Sequence, residues 1–172
     1  GIDSGTYQGA GEFIVTGTSP VINVTGDYTQ VSVSSQKFNI ASTGVSKIKV
    51  GGNATIAGSL SVQFTGGHVN ANQIVLIEIT GTSSGKFTGL NEGAFVANDG
   101  VVNWYISYVG GNGNNDVVLT TTPRQIATWT GTASFAWSNP SNWSGGVVPN
   151  DSIYAIVGQV VSPAHNPVIA SG

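Results

Sequence analysis

Between residues 46 and 64 the large apolar side chains all fall on even positions. Ile48, Val50, Ile56, Leu60, Val62 and Phe64 alternate with Lys47, Lys49, Ser59, Ser61 and Gln63. Successive side chains of an extended chain point to opposite faces, so this period of two describes strands with one covered and one solvated side. A helix would place its apolar residues at a period near 3.6, which is not seen here. The residue types agree with the spacing. The chain has 22 Val, 14 Ile and 17 Thr against 4 Leu, 3 Glu and 4 Lys. β-branched side chains lose rotamer freedom in helices and pack well on pleated sheets, while the good helix formers are scarce. With 25 Gly to punctuate turns, an all-β architecture follows.

The same texture runs along most of the chain. Short apolar stretches at Glu12–Val15, Val21–Val24, Tyr28–Val33 and Lys37–Ile40 are separated by Gly, Asn, Ser and Thr. Val-Thr-Gly closes two of them, at 15–17 and 24–26, which hints at a short repeat. Gln73–Ile79 is apolar on both faces and reads as a central, covered strand. Val102, Trp104, Ile106 and Tyr108 share one face of a further strand, and Val117–Thr120 forms another. Thr121-Thr122-Pro123 then marks a corner or linker, because proline removes a ladder donor and restricts the residue before it. The expected division is a β-rich core module over residues 1–122 and a Trp/Pro-rich segment over 123–172. That segment holds three of the four Trp and five of the six Pro.

Charge and cysteine content narrow the function. Only 8% of residues are charged and the net charge is −3. Four Lys and one scattered Arg offer no footprint for a phosphate backbone, so no nucleic-acid partner is expected. The absence of Cys excludes disulfides, thiolate metal sites and cysteine catalysis. With no Met, residue 1 is not a translation start, and the chain is expected to be a processed form or a piece of a longer protein. The longest aliphatic run, Ile74 to Ile79, is broken by Glu78 and is too short to span a bilayer as a helix.

Three runs carry a family resemblance: "GNATIAGSLSVQF" at 52–64, "GKFTGLNEGAFV" at 85–96 and "WYISYVGGNGNNDVVLT" at 104–120. The stretch they occupy, residues 51–122, resembles the closing part of an autotransporter-type passenger repeat of large bacterial surface proteins. The run "ATWTGTASFAWSNPSNWSGGVVPNDS" at 127–152 is similar to the opening of the following repeat. Together they span about 51–152. The resemblance implies an exported protein whose passenger is a parallel β-helix, with no enzymatic residues. The closing motif here precedes the opening one, so the chain is expected to be one period or a permuted piece of an array, or a subunit completed by a neighbour's strand. A parallel β-solenoid is therefore the expected fold. An antiparallel β-sandwich would give similar alternation and remains the alternative.

Several residue groups offer candidate chemistry. Gly110-Gly111-Asn112-Gly113-Asn114-Asn115-Asp116 approaches the calcium-binding nonapeptide, which makes Asn112, Asn114 and Asp116 a weak calcium candidate. An extra Asn precedes the Asp and there is a single copy, so a Gly/Asn turn between strands is the plainer reading. The carboxylates are Asp3, Glu12, Asp27, Glu78, Glu92, Asp99, Asp116 and Asp151. Most lie beside Gly or Asn in turns, whereas Glu78 lies inside an apolar strand, as an outward-facing residue or a functional acid. His68 and His165 lack zinc-site spacing. Trp129, Trp137 and Trp143, with Phe135 among them, either stack on sugar rings or pack as a core. Sequons occur at Asn23, Asn53 and Asn142. The sequence thus points to a non-enzymatic structural or adhesive module, secreted or displayed on a bacterial surface, whose partners are copies of itself, neighbouring repeats or surface glycans. The alternative is a carbohydrate-binding module using the Trp cluster. Polymerisation contacts are expected at residues 1–17 and 153–172.

Overall fold

A computed structural model describes residues 5–7, 12–15, 20–123, 125–150, 153–158 and 164–168. The chain divides into two compact units, Gly1–Pro123 and Arg124–Gly172, one residue away from the division expected at 122/123. The parts of 1–17 and 153–172 that fall in the gaps lie outside the described residues.

The first unit begins with ten short strands: β1 (Gly5–Tyr7), β2 (Glu12–Val15), β3 (Val21–Val24), β4 (Tyr28–Gln30), β5 (Ser35–Ala41), β6 (Lys47–Val50), β7 (Ala54–Ile56), β8 (Ser59–Thr65), β9 (Gln73–Ile79) and β10 (Ser83–Gly85). Every third strand pairs in parallel. β1, β4, β7 and β10 form one sheet, β2, β5 and β8 a second, and β3, β6 and β9 a third. The chain therefore winds as a β-solenoid, each coil contributing one strand to each sheet. The antiparallel sandwich is excluded for this part, because residues stand over their equivalents in the next coil: Gly5 over Tyr28, Tyr28 over Ala54, Ala54 over Ser83.

The period-two pattern is what makes the coil work. On β5, Gln36, Phe38 and Ile40 point inward, while Ser35, Lys37, Asn39 and Ala41 are only partly covered. Phe38, Ile40, Ile48, Ile56, Leu76 and Ile77 fill the interior with Val15, Val24 and Val50. The interior also encloses polar groups. The Tyr28 hydroxyl donates to Gln36 Oε1 at 2.9 Å, and Gln36 Nε2 donates to the Phe13 carbonyl at 3.1 Å, which answers the cost of burying the amide. Val15 and Val24 end β2 and β3, strands of different sheets. The two Val-Thr-Gly copies are therefore not equivalent positions of a repeat.

The corner between the third and first sheets stacks closely from coil to coil. Its three residues are Thr25–Asp27, Gly51–Asn53 and Thr80–Thr82 in successive coils. The Gly52 amide donates to Gly26 O and the Gly81 amide to Gly52 O, both at 3.0 Å. Side chains reinforce the column: the Asn53 amide donates to Asp27 Oδ1 at 2.7 Å, and the Thr82 amide and hydroxyl both donate to Asn53 Oδ1 at 2.9 Å. A Cβ at Gly81 would stand 2.6 Å from Gly52 O, a backbone atom that cannot turn aside. We expect Gly81→Ala to cost about 1–3 kcal/mol, read as a lower urea midpoint with an unchanged slope. An unchanged midpoint would mean the column can spread.

Beyond β10 the winding stops. Strands β11 (Phe95–Asn98), β12 (Asn103–Gly110) and β13 (Asp116–Thr120) form an antiparallel meander. β13 lies antiparallel against β9, extending the third sheet to six strands in the order β11-β12-β13-β9-β6-β3. Its Val117, Val118 and Leu119 are all buried, so the covered position expected for Gln73–Ile79 extends to its neighbour. Trp104 on β12 is fully buried and stacks on Phe64 of β8, ring centroids 5.8 Å apart. The segment after β10 folds back onto β12: the Phe87 amide donates to the Tyr108 hydroxyl oxygen, and that hydroxyl donates to Leu90 O.

In the second unit, β14 (Gln125–Thr128) and β15 (Ile153–Ile156) pair in parallel. Two single 3₁₀ turns, Pro140–Asn142 and Ser144–Gly146, lie between them. Among the described residues no helix is long and apolar enough to cross a membrane.

Candidate functional site

The outer face of the third sheet carries the charged side chains Lys47, Lys49 and Glu78. Asn23 of β3, Lys49 of β6 and Glu78 of β9 stand in register across three adjacent strands. Glu78 is the outward-facing residue its strand position suggested. One of its oxygens meets Lys47 Nζ at 2.6 Å and the other meets Lys49 Nζ at 3.0 Å. The hydrogen bonds from Lys47 and then Lys49 hold its pKa below the ordinary carboxylate value. That is opposite to the raised pKa a general acid would need. An open cleft of about 390 Å³ lies on this face, lined by Asn23, Thr25, Lys49, Gly51, Glu78 and Thr80.

A second polar cluster was not anticipated. The carboxylate of Asp99, placed at the turn between β11 and β12, is fully covered. Asp99 Oδ1 accepts the Val101 and Val102 amides, a local turn arrangement. Oδ2 accepts the Val69 amide at 3.2 Å and the Trp104 indole N–H at 3.1 Å, and meets His68 Nδ1 at 2.7 Å. One carboxylate thus ties the loop after β8 to the β11–β12 turn. Burial alone would raise its pKa, but the Val102 and Val101 amides, the indole and His68 outweigh it, leaving the carboxyl far below its usual range. A carboxylate held low contributes stability above pH ~4, and that contribution is lost as the pH falls through the lowered value. Asp116 has the opposite sign: burial raises its pKa despite a hydrogen bond from the Ile79 amide. Protonation of Asp116 therefore favours the fold and offsets part of the acid loss. We expect urea titrations between pH 6 and 2 to show a smaller acid loss in Asp99→Asn than in the parent chain. Parallel curves would remove Asp99 as a source of acid sensitivity.

The nonapeptide-like segment is the β12–β13 turn. Asp116 is buried with Oδ1 accepting the Ile79 amide at 2.7 Å, and Asn115 donates to the carbonyls of Ile79 and Gly81. Asn112 and Asn114 remain exposed, with Asn114 in the left-handed region at φ 52°. The three calcium candidates are thus divided between an inward carboxylate and an outward turn. Among the described residues no three His, Asp or Glu side chains gather in a metal-binding arrangement.

Contrary to the expectation that the chain carries no nucleophile-elbow motif, Gly81-Thr82-Ser83-Ser84-Gly85 has the Gly-x-Ser-x-Gly spacing of one. It runs from the stacked corner into β10, which lies in a parallel sheet beside β7. An elbow needs a sharp strand-to-helix turn that lifts the serine clear of the sheet, and the element that comes next after β10 is the strand β11.

In the second unit the aromatic residues form the core. Trp129 and Trp143 are 1% and 3% exposed. Their rings meet edge to face at 5.1 Å, and Trp137 packs on both at 6.4 and 4.6 Å. The Trp129 indole donates to His165 O and the Trp143 indole to Trp137 O. Of the three rings offered for glycan stacking, Trp129 and Trp143 thus have neither a face nor an N–H to present, and Trp137 is half-buried. Phe135 is exposed, its ring edge on to His165 at 4.3 Å. Asn142 is fully buried as well: its Oδ1 accepts the Ala133 and Ser134 amides, and its Nδ2 donates to Ser134 Oγ and Ala136 O. The sequon at Asn142 is thereby closed to modification in the folded chain, while Asn23 and Asn53 remain exposed.

No family model matches the chain, and no curated protein or solved structure matches it.

Proposed function

We propose that the chain is a structural or adhesive module of a secreted bacterial surface or extracellular protein, acting as a unit of a tandem array or filament. The observation that carries this reading is the parallel coil stack. Backbone ladders run along its axis through three sheets, and side chains such as Ser59, Ser61, Gln63 and Thr65 on β8 are presented to solvent. Such a stack is cohesive without a cofactor, and the unpaired backbone groups of a strand at either end of a sheet can add to another strand. The resemblance of residues 51–152 to autotransporter-type repeats supports export and display. The proposal assigns no catalysis to the chain. Glycan recognition by the tryptophans is the less favoured reading, since two of the three rings are enclosed.

Electron microscopy of the purified chain tests the assembly part. Rods or filaments with a regular repeat are the expected result, and separate compact particles across a wide concentration range would reject self-assembly.

A further inference from the structure

We propose that the outer face of the third sheet binds a carboxylate-bearing saccharide in the cleft centred on Lys49 and Gly51. The inference adds a ligand to the adhesive reading. It starts from the way three successive coils superpose. Asn23, Lys49 and Glu78 form one row across the face. The next outward row is Thr25, Gly51 and Thr80, since the ladder continues through Gly51 N–H to Val24 O and Thr80 N–H to Val50 O. The middle position of that row has no side chain, and cannot gain one: a Cβ at Gly51 would lie 2.5 Å from the Thr25 carbonyl oxygen. The close stacking of the backbone thus leaves a notch between two threonines, and the cleft of about 390 Å³ opens there.

The lining chemistry selects the ligand. Two ammonium groups share the one exposed carboxylate of this face, on a protein whose net charge is −3, while the nearby Asp116 carboxylate, which also feels Glu78 and Lys47, is buried on β13. Glu78 spends one oxygen on each lysine, while each ammonium keeps further N–H donors. The side chains of Lys49 and Glu78 are 44% and 41% exposed, so these groups are open to solvent. Asn23 adds a carboxamide that both donates and accepts, and Thr80 a hydroxyl. No aromatic ring lines the cleft, so a ligand would be held by hydrogen bonds rather than by ring stacking. A hydroxyl-rich molecule with one carboxylate fits: the acid group meets Lys49, and the hydroxyls meet Asn23, Thr80 and the free side of the Glu78 carboxylate. The volume lies near the lower end of small-ligand sites, about 300–1,000 Å³, which suits one or two sugar rings.

The test is a backbone-amide NMR titration of the whole chain with glucuronosyl-glucose, using cellobiose as the neutral counterpart that differs only at C6. Shifts confined to residues 23–25, 49–51 and 78–80, with affinity falling in ~0.5 M salt, are the expected result. Lys49→Gln leaves Lys47 on Glu78, and should weaken binding about tenfold, the loss of one charge-assisted contact. Asn23→Ala, at an exposed position, should weaken it as well and serves if the lysine variant does not fold. Equal response to cellobiose, no response to either sugar, undiminished binding by both variants, or shifts confined to residues 125–168 would each overturn the site. Micrographs of the same samples report on assembly separately, so failure of the ligand site and failure of the array reading are distinguishable.

Discussion

Trp104→Ala should cost the first unit about 3–5 kcal/mol, the range for truncating a large aromatic in a packed core. A loss of that size is a large part of the ~5–15 kcal/mol that holds a typical domain together. The estimate rests on where the ring lies. It is fully buried on β12, stacked on Phe64 at an interplanar angle of 26°. Its indole N–H is one of the donors around the covered carboxylate of Asp99. Truncation would therefore open a cavity and also remove a hydrogen bond from a charged group that water cannot easily reach. Trp104→Phe separates the two effects, since it keeps most of the apolar area and removes only the donor. We expect it to cost about 1.5–3 kcal/mol. Urea unfolding followed by the far-ultraviolet β signal measures both. A loss below ~1 kcal/mol for Trp104→Ala would mean that the β12 contact with the coil stack is dispensable.

Trp129→Ala should abolish the fold of the second unit. Among the described residues, the buried apolar members of its core are Ala127, Trp129 and Trp143, with Trp137, Val148, Ile153 and Ala155 partly covered around them. Removing Trp129 deletes a ring in contact with both other indoles and frees the His165 carbonyl it binds. The expected cost of ~3–5 kcal/mol falls on a cluster too small to absorb it. The core of the first unit is built from other residues. The amide resonances of residues 125–168 should therefore collapse toward unfolded positions, while those of β4 to β13 stay dispersed. Retained dispersion in both sets would show that Trp129 is replaceable.

The strands of the first unit were legible because alternation is a local property. The even-numbered apolar residues from Ile48 to Phe64 and the face shared by Trp104, Ile106 and Tyr108 point inward as expected. The coil repeat was not legible, because successive coils differ in length and so produce no fixed period. Its true marker, Gly26, Gly52 and Gly81 in one column, is spread among 25 glycines. Asp99 has the look of a turn carboxylate beside Gly100, and two of its five polar contacts are of that kind. His68 and Val69 reach it only because the solenoid places the loop after β8 against the β11–β12 turn. Asn142 opens a sequon, and nothing in a three-residue motif reveals that both ends of its amide are consumed inside the unit. Glu78 was the favourable case: a single charge within an apolar strand has to face outward or find a partner, and here it does both.

The corner between the third and first sheets is three residues long in every coil, whereas the passage from the second sheet to the third grows from Ser42–Ser46 to Gly66–Asn72. One seam of the solenoid is therefore a fixed ruler and another is elastic. A residue added at the ruler would slide every later rung by one and turn inward-facing side chains outward. A residue added at the elastic seam merely lengthens a loop. Change over generations can thus accumulate along one seam of the coil while another seam keeps the count.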